Sequence, residues 1–346
     1  MTPETIRIGE AEEQAAGNYP IAVRAPYRLD LTVNVLRRLS TNLVDVLTPS
    51  GEYIRLLGDP EDPAVIRARQ PDPGSLIVEI EGDPRGHPRL LALARRMLGV
   101  EVDLTLFYQR AANIPSLHPL VLRMRGVRPP RYPTLWEACV NAIVFQQISL
   151  HAASAIMGRL IGALSEPIET RGIRLYRFPC ITQVQDAPDS LLRGAGLSAG
   201  KLATLRRVGD ALSGNGLDEA RLETLPSSDA GAELRSIKGI GPWTAAVILL
   251  RGLGRLDVFP ANDSGVARNM TLVSGPNSLP LETMIERLGP GQGMLYYHLL
   301  LARLETRGDL SLRPEGQLSP PNQPARRSKR PRRCAQVPSD DAPEPS

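Results

Sequence analysis

The sequence predicts a mostly α-helical protein, preceded by a small α+β domain and followed by a tail without a fold. Three observations predict this. Short β-like runs separated by Pro, Gly and Asp turns fill residues 21 to 102. From 103 to 310, apolar residues recur at three- and four-residue spacing. From 311 to 346, Pro, Ser and charge replace large apolar residues, a composition that cannot bury enough surface to order itself. At 346 residues the chain can hold two or three domains and a substantial core.

Residues 1–20 read as a flexible leader, acidic and polar, which argues against a secretory signal. Leu31–Leu39 reads as a short helix, and Val44–Leu47, Ile54–Leu57, Val65–Ala68 and Leu76–Ile80 read as strands. Leu90–Leu98 is an amphipathic helix closed by Gly99. In the helical part, Thr134–Gln147 carries Leu135, Ala138, Cys139, Ala142 and Ile143 on one face, and Pro133 suits its first turn. Ser198–Leu212, Thr244–Leu250 and Met294–Leu304 read as further helices.

Composition narrows the function classes. The three cysteines, Cys139, Cys180 and Cys334, lie far apart, which excludes a disulfide framework and a Cys-rich zinc or iron–sulfur site and fits a reducing cytoplasm. No run of 18 apolar residues occurs, so no transmembrane helix is expected. The net charge is +4, but residues 311–346 hold seven basic against four acidic side chains and so carry +3 of it. The nearly neutral body must therefore bind any nucleic acid through a local patch and backbone donors. The basic run Ala325–Arg333 reads as a nonspecific DNA tether or a solvated end in preference to a targeting signal.

Leu234 to Asp263 is the most informative stretch. Gly239-Ile240-Gly241 brackets an isoleucine just before an apolar helix that opens Pro242-Trp243-Thr244. Glycine permits a tight turn and a close backbone approach. The helix behind it points unpaired N–H groups and a positive dipole end outward, a natural seat for a phosphate. Ile240 is expected to pin the turn to the core, and Lys238 to add a phosphate contact. Such a triplet also occurs as a plain turn between packed helices. The preceding helix with Leu234, the Pro-Trp start and the downstream carboxylate favour a DNA-binding helix–hairpin–helix. Trp243 reads either as core or as a stacking wall, and its place at the mouth of the hairpin favours the wall. Asp263 reads either as a helix cap or as a reactive carboxylate. Asn262 is the competing cap, which leaves Asp263 for chemistry.

These residues resemble the helix–hairpin–helix DNA glycosylase superfamily, and more closely its 3-methyladenine DNA glycosylase II (AlkA-like) branch, over residues 20 to 307. Gly126-Val127-Arg128-Pro129-Pro130-Arg131-Tyr132-Pro133, Ala142 to Ser149 and Gly196-Leu197-Ser198 with Lys201 carry the likeness beside the hairpin. The resemblance implies a two-lobed helical core behind an α+β domain. It implies an enzyme that flips a damaged base, alkylated or deaminated, out of double-stranded DNA and hydrolyses its N-glycosidic bond; nothing in the sequence points to oligomerisation, and a monomer is expected. It places Asp263 on the catalytic aspartate. Trp243, Gln146, Val247 and Leu300 fall on the base pocket. Gly239, Gly241 and Thr244 fall on the amides that hold the phosphate, and Gln147 on the side chain that fills the gap in the duplex. The carbonyls of Arg235, Ile237 and Ile240 fall where a structural Na+ or K+ binds; no other cofactor is implied.

The chain departs from the branch in three ways. Val247, Ser264 and Leu300 stand where further pocket aromatics are found, with Tyr296 and Tyr297 nearby as substitutes. Gln147 is polar where the wedge is aliphatic. The cluster cysteines of the endonuclease III branch are missing, and so is the lysine that bifunctional relatives carry at the Trp243 position, so no strand cleavage is expected. Two other readings stay open, a non-catalytic damage-binding protein and a bifunctional glycosylase/lyase.

Overall fold

The computed structural model describes residues 16–58, 61–261, 263–273 and 278–310. The basic tail at 311–346 and most of the predicted leader lie outside these residues. The leader is shorter than the sequence suggests, because β1 (Gly17–Ala22) already pairs with β5 (Ser75–Glu81) from Gly17 onward. Between them come α1 (Leu29–Arg37), β2 (Val46–Leu47), β3 (Tyr53–Gly58) and β4 (Pro63–Asp72). The sheet is wholly antiparallel in the order β1-β5-β4-β3-β2.

Both faces of this sheet are covered, and the period-2 alternation of its strands shows how. Tyr53 and Leu57 of β3 join the main core, whereas Ile54 and Leu56 join Val65, Ile168 and Leu175 in a smaller one. The last two come from a hairpin of two three-residue strands, β6 (Ile168–Thr170) and β7 (Ile173–Leu175), too short for sequence periodicity to reveal. Arg55, between Tyr53 and Leu57, is 1% exposed and meets Asp45 at 2.6 Å and Glu137 at 2.5 Å. Removing one partner would strand a buried charge, so this triad ties the sheet firmly to the helix that carries Glu137.

After α2 (His87–Met97) the chain is helical but for that hairpin: α3 (Thr105–Ala112), α4 (His118–Arg123), α5 (Leu135–Val144), α6 (Leu150–Leu164), α7 (Ile181–Asp186), α8 (Asp189–Gly194) and α9 (Ala199–Ser213). Then follow α10 (Glu219–Thr224), α11 (Ser227–Arg235), α12 (Pro242–Arg251), α13 (Ser264–Met270), α14 (Leu281–Leu288) and α15 (Gly293–Arg307). Pro133 does not begin α5. Thr134 caps it, its side chain accepting from Glu137 N, and Pro133 precedes the cap. Ser198 caps α9 in the same way.

The helices form two lobes. One core gathers α5, α6 and α7–α12 with the sheet, and the other gathers α3, α4, α14 and α15. The α1 helix is buried along its whole length, against β3 on one side and α15 on the other. The buried Arg251 of α12 donates to the Val35 and Leu36 carbonyls of α1. The main core thus continues across residue 102 without a break. Among the described residues no helix is long and apolar enough to cross a membrane.

Candidate active site

A cavity of about 580 Å³ opens between the lobes, within the usual size of a small-molecule pocket. Five pieces of chain line it: the end of α1, the turn between α5 and α6, the hairpin before α12, the start of α13 and one face of α15.

The hairpin is built as its glycines demand. Ile240 N donates to Ile237 O at 3.0 Å, closing the turn, and the Ile240 side chain is 4% exposed in the core. Gly239 has φ +106°, and a Cβ there would stand 2.0 Å from Thr204 Oγ1 of α9. Glycine is therefore required twice, by backbone angle and by the neighbouring helix. Gly241 differs: its φ is −89°, it caps α12, and a Cβ there would meet nothing within 4 Å. The space beside it is open to an approaching group. Pro242 has no N–H to lose at the first helical position, and the amides of Trp243 and Thr244 follow in the unpaired first turn. Lys238 is exposed beside the turn, and Arg207 of α9 donates to its carbonyl at 3.2 Å.

The turn after α5 is locked to this hairpin. Gln146 Nε2 donates to Gly239 O at 3.1 Å and to Thr244 Oγ1 at 2.7 Å. Lys201 Nζ donates to the carbonyls of Val144 (2.8 Å) and Gln146 (2.9 Å), a cation at the C-terminal end of α5 where the helix dipole favours one. Gln147, at the lip, is exposed and holds φ +55°. That angle is uncommon for a residue with a Cβ and presents the side chain outward.

Asp263 is the cap of α13. Its Oδ1 accepts from Gly265 N (2.6 Å) and Val266 N (3.1 Å), while its Oδ2 accepts from Trp243 Nε1 at 2.9 Å. Capping and a place in the cavity are therefore not alternatives. The expectation that Asn262 takes the cap is corrected: Asp263 holds that position, and Asn262 lies outside the described residues. Trp243 is half-buried and Asp263 half-buried, and both line the cavity.

Of the predicted pocket residues, Trp243, Gln146 and Leu300 line the cavity with Asp263, Gly239, Gly241, Thr244 and Gln147. Val247 does not. It is 1% exposed in the main core, because it lies one helical turn deeper than Trp243. Of the two tyrosines, Tyr296 lines the cavity, and Tyr297 is buried with its hydroxyl donating to Leu250 O. Burial lifts the Tyr296 phenol above its ordinary pKa, and the Asp263 charge adds to this, so the hydroxyl keeps its proton. The sequence reading missed Arg38, Phe145 and Arg303, which also line the cavity. No local motif marks Arg38 or Arg303; Phe145 lies within the stretch from Ala142 to Ser149, which gave it no role of its own.

No protein-family model matches the chain. It is 34% identical over 183 residues to a probable bifunctional transcriptional activator/DNA repair enzyme AlkA of Mycobacterium tuberculosis, covering 51% of this chain and 34% of that protein. It is 27% identical over 183 residues to a DNA-3-methyladenine glycosylase of Bacillus subtilis, covering 53% and 60%. The chain thus spans about a third to three-fifths of these relatives. The solved 3-methyladenine DNA-glycosylase from Archaeoglobus fulgidus superposes with TM-score 0.70 at 25% identity, over 83% of this chain and 99% of that one. Hairpin, aspartate and these likenesses converge: in sequence and in fold the chain is similar to 3-methyladenine DNA glycosylases of the AlkA-like, helix–hairpin–helix type.

Proposed function

We propose that this protein is a base-excision DNA glycosylase that removes a damaged base, alkylated or deaminated, from double-stranded DNA and leaves an abasic site. One observation carries the reading. The Asp263 carboxylate is fixed from two directions, by α13 amides and by the Trp243 indole, at the wall of a nucleotide-sized cavity beside a phosphate-seating turn.

The chemistry follows from that placement. The backbone at Gly239, Gly241 and Thr244 grips a phosphate, with Lys238 adding charge. The damaged nucleotide swings out of the stack at a cost of a few kcal/mol, and Gln147 fills the gap it leaves. Stacking on Trp243 returns about 1–3 kcal/mol. The N-glycosidic bond then breaks, the base leaving with the bonding pair, and positive charge grows on the sugar as in glycoside hydrolysis. A carboxylate about 4 Å away, at an effective dielectric near 20, stabilises that charge by roughly 4 kcal/mol, on the order of a thousandfold in rate. Water adds to the anomeric carbon and its proton passes to Asp263 or to solvent.

We further propose that the enzyme is monofunctional and acts as a monomer. Among the described residues no lysine lines the cavity, and the Lys201 amine is held by two carbonyls. An amine nucleophile for strand cleavage is therefore not at hand. The carbonyls of Arg235, Ile237 and Ile240 would hold a monovalent cation. They are neutral oxygen donors on one turn, suited to a hard cation, and Ile237 O keeps a second lone pair beyond the one used by Ile240 N. The cation would brace the turn against the phosphate.

The test is a set of duplexes, each with one lesion, incubated with protein and cleaved by alkali at abasic sites. Release from at least one alkylated or deaminated duplex supports the reading. Binding without release from any would support a damage-binding protein instead. Trapping of a covalent DNA adduct by borohydride would overturn the monofunctional part.

A further inference from the structure

The mouth of the cavity has two lips, one from each lobe. The glycine hairpin, pinned to the main core by Ile240, forms one. The other is α15, whose Leu299 and Leu301 lie in the second core. Tyr296, Leu300, Arg303 and Arg307 follow one another on α15 at four-, three- and four-residue spacing, and all four line the cavity. Tyr296 is the deep end, within the field of Asp263. At 1.5 Å per residue, Arg303 stands about 10 Å and Arg307 about 16 Å further out along the helix. Helical side chains lean towards the N-terminus, so both lean back over the opening.

The charges here do not balance. Among the described residues that line the cavity, Asp263 is the one acid, against Arg38, Arg268, Arg303 and Arg307. Arg38 is committed to the Phe145 ring, 3.8 Å from its centroid. Arg307 reaches α6, its Nη1 3.1 Å from His151 Nδ1, while Asp309 lies 3.6 Å from His151 Nε2. Half-buried Arg303 has no hydrogen bond or ion pair among the described residues. Its neighbours three and four places away are Leu299, Leu300, Thr306 and Arg307, so no acid offsets it along the helix. Glu305 is taken by Arg123 of α4 at 3.2 Å. Two arginines four apart repel, and an anion between the lips removes that repulsion. A guanidinium fork suits one anion in particular, the paired oxygens of a phosphodiester.

A nucleotide that leaves the stack carries a phosphate on each side. Held on one side alone, it swings back; held on both, it stays out. We infer that Arg303, with Arg307 adding charge, is a second phosphate grip on the damaged strand, on the far side of the extruded nucleotide from the phosphate held by the hairpin. This rests on the glycosylase reading above for its extruded nucleotide.

The experiment measures binding to a duplex carrying a tetrahydrofuran abasic analogue, which cannot be cleaved. Arg303→Met is expected to weaken binding about tenfold at low salt and to reduce the slope of log affinity against log salt by about 0.9. Arg303→Lys keeps the charge and is expected to keep the slope. Neutral methylphosphonates are then placed one at a time at the phosphates flanking the analogue on its own strand. Wild type should be weakened by substitution on either side. Arg303→Met should lose that penalty on one side and Gly241→Ala on the other. Each penalty is a ratio within one variant, so a loss of folded protein does not move it. An unchanged salt slope, a penalty that Arg303→Met keeps at every position, or one that both variants lose at the same phosphate overturns the inference and leaves the glycosylase reading standing. Wild type that shows the two-sided pattern but releases no damaged base supports the grip and overturns the glycosylase reading alone.

Discussion

The indole N–H of Trp243 donates to Asp263 Oδ2 at 2.9 Å, joining the first turn of α12 to the cap of α13. One side chain of the pocket wall thereby aims the carboxylate that the other oxygen anchors to its own helix. Indole ring and carboxylate are one mechanical unit, and the glycine hairpin before α12 leads directly into it.

Trp243→Phe keeps an aromatic wall but removes the N–H. A hydrogen bond to a charged group contributes about 1.5–3 kcal/mol, so base release is expected to slow about 10–100-fold. The loss should fall on kcat more than on KM, because the ring still stacks. Trp243→Ala removes the stacking as well and is expected to raise KM in addition. Equal KM for the two variants would detach Trp243 from base stacking.

The two hairpin glycines should respond differently to alanine. Gly239→Ala meets both a positive φ and Thr204, and is expected to lower the melting temperature and abolish DNA binding together. Gly241→Ala has an allowed φ and open space, so its melting temperature should stay within a degree or two of wild type (about 0.5 kcal/mol). DNA affinity should still fall, since the methyl occupies the space a phosphate needs. Unchanged affinity would move the phosphate site elsewhere.

His298, on the helix that supplies Tyr296, Leu300 and Arg303, titrates against folding. Burial lowers its pKa from 6.5 to about 4, offset slightly by the bond from Nδ1 to Met294 O. The unfolded chain takes up a proton near 6.5 and the folded chain resists until about 4. The contribution is therefore present above pH 6.5 and is lost as pH falls towards 4, by about 3 kcal/mol in all. Chemical denaturation of wild type and His298→Phe across this range checks it, the variant losing less stability on acidification.

The legible parts of the molecule were those encoded locally. Four of the five strands of the sheet, α12 and the glycine turn announce themselves through alternation, helical spacing and a short motif, whereas β1 begins inside the stretch that reads as a leader. Asp263 was legible as a residue but its bond to Trp243 was not, because the intervening loop sets that distance and no periodicity describes it. Arg38 reaches Phe145 only because α1 is buried between the lobes, a relation about a hundred residues apart in sequence. Val247 shares a face of α12 with Trp243 by spacing, yet depth along the helix puts one in the core and the other in the cavity. Which of Tyr296 and Tyr297 faces the cavity depends on the rotation of α15, which its packing on α1 and α13 decides.

The most direct measurement is release of a damaged base from a single-lesion duplex by wild type and Asp263→Asn. Asn caps a helix as well as Asp through its one oxygen, so the α13 cap should persist, but its amide nitrogen then faces the Trp243 N–H, and the variant loses that hydrogen bond together with the negative charge. Release is expected to fall roughly a thousandfold or more, with a melting temperature lowered by a few degrees at most and unchanged DNA affinity. A variant that released base at the wild-type rate would contradict the role given to Asp263 and the mechanism built on it.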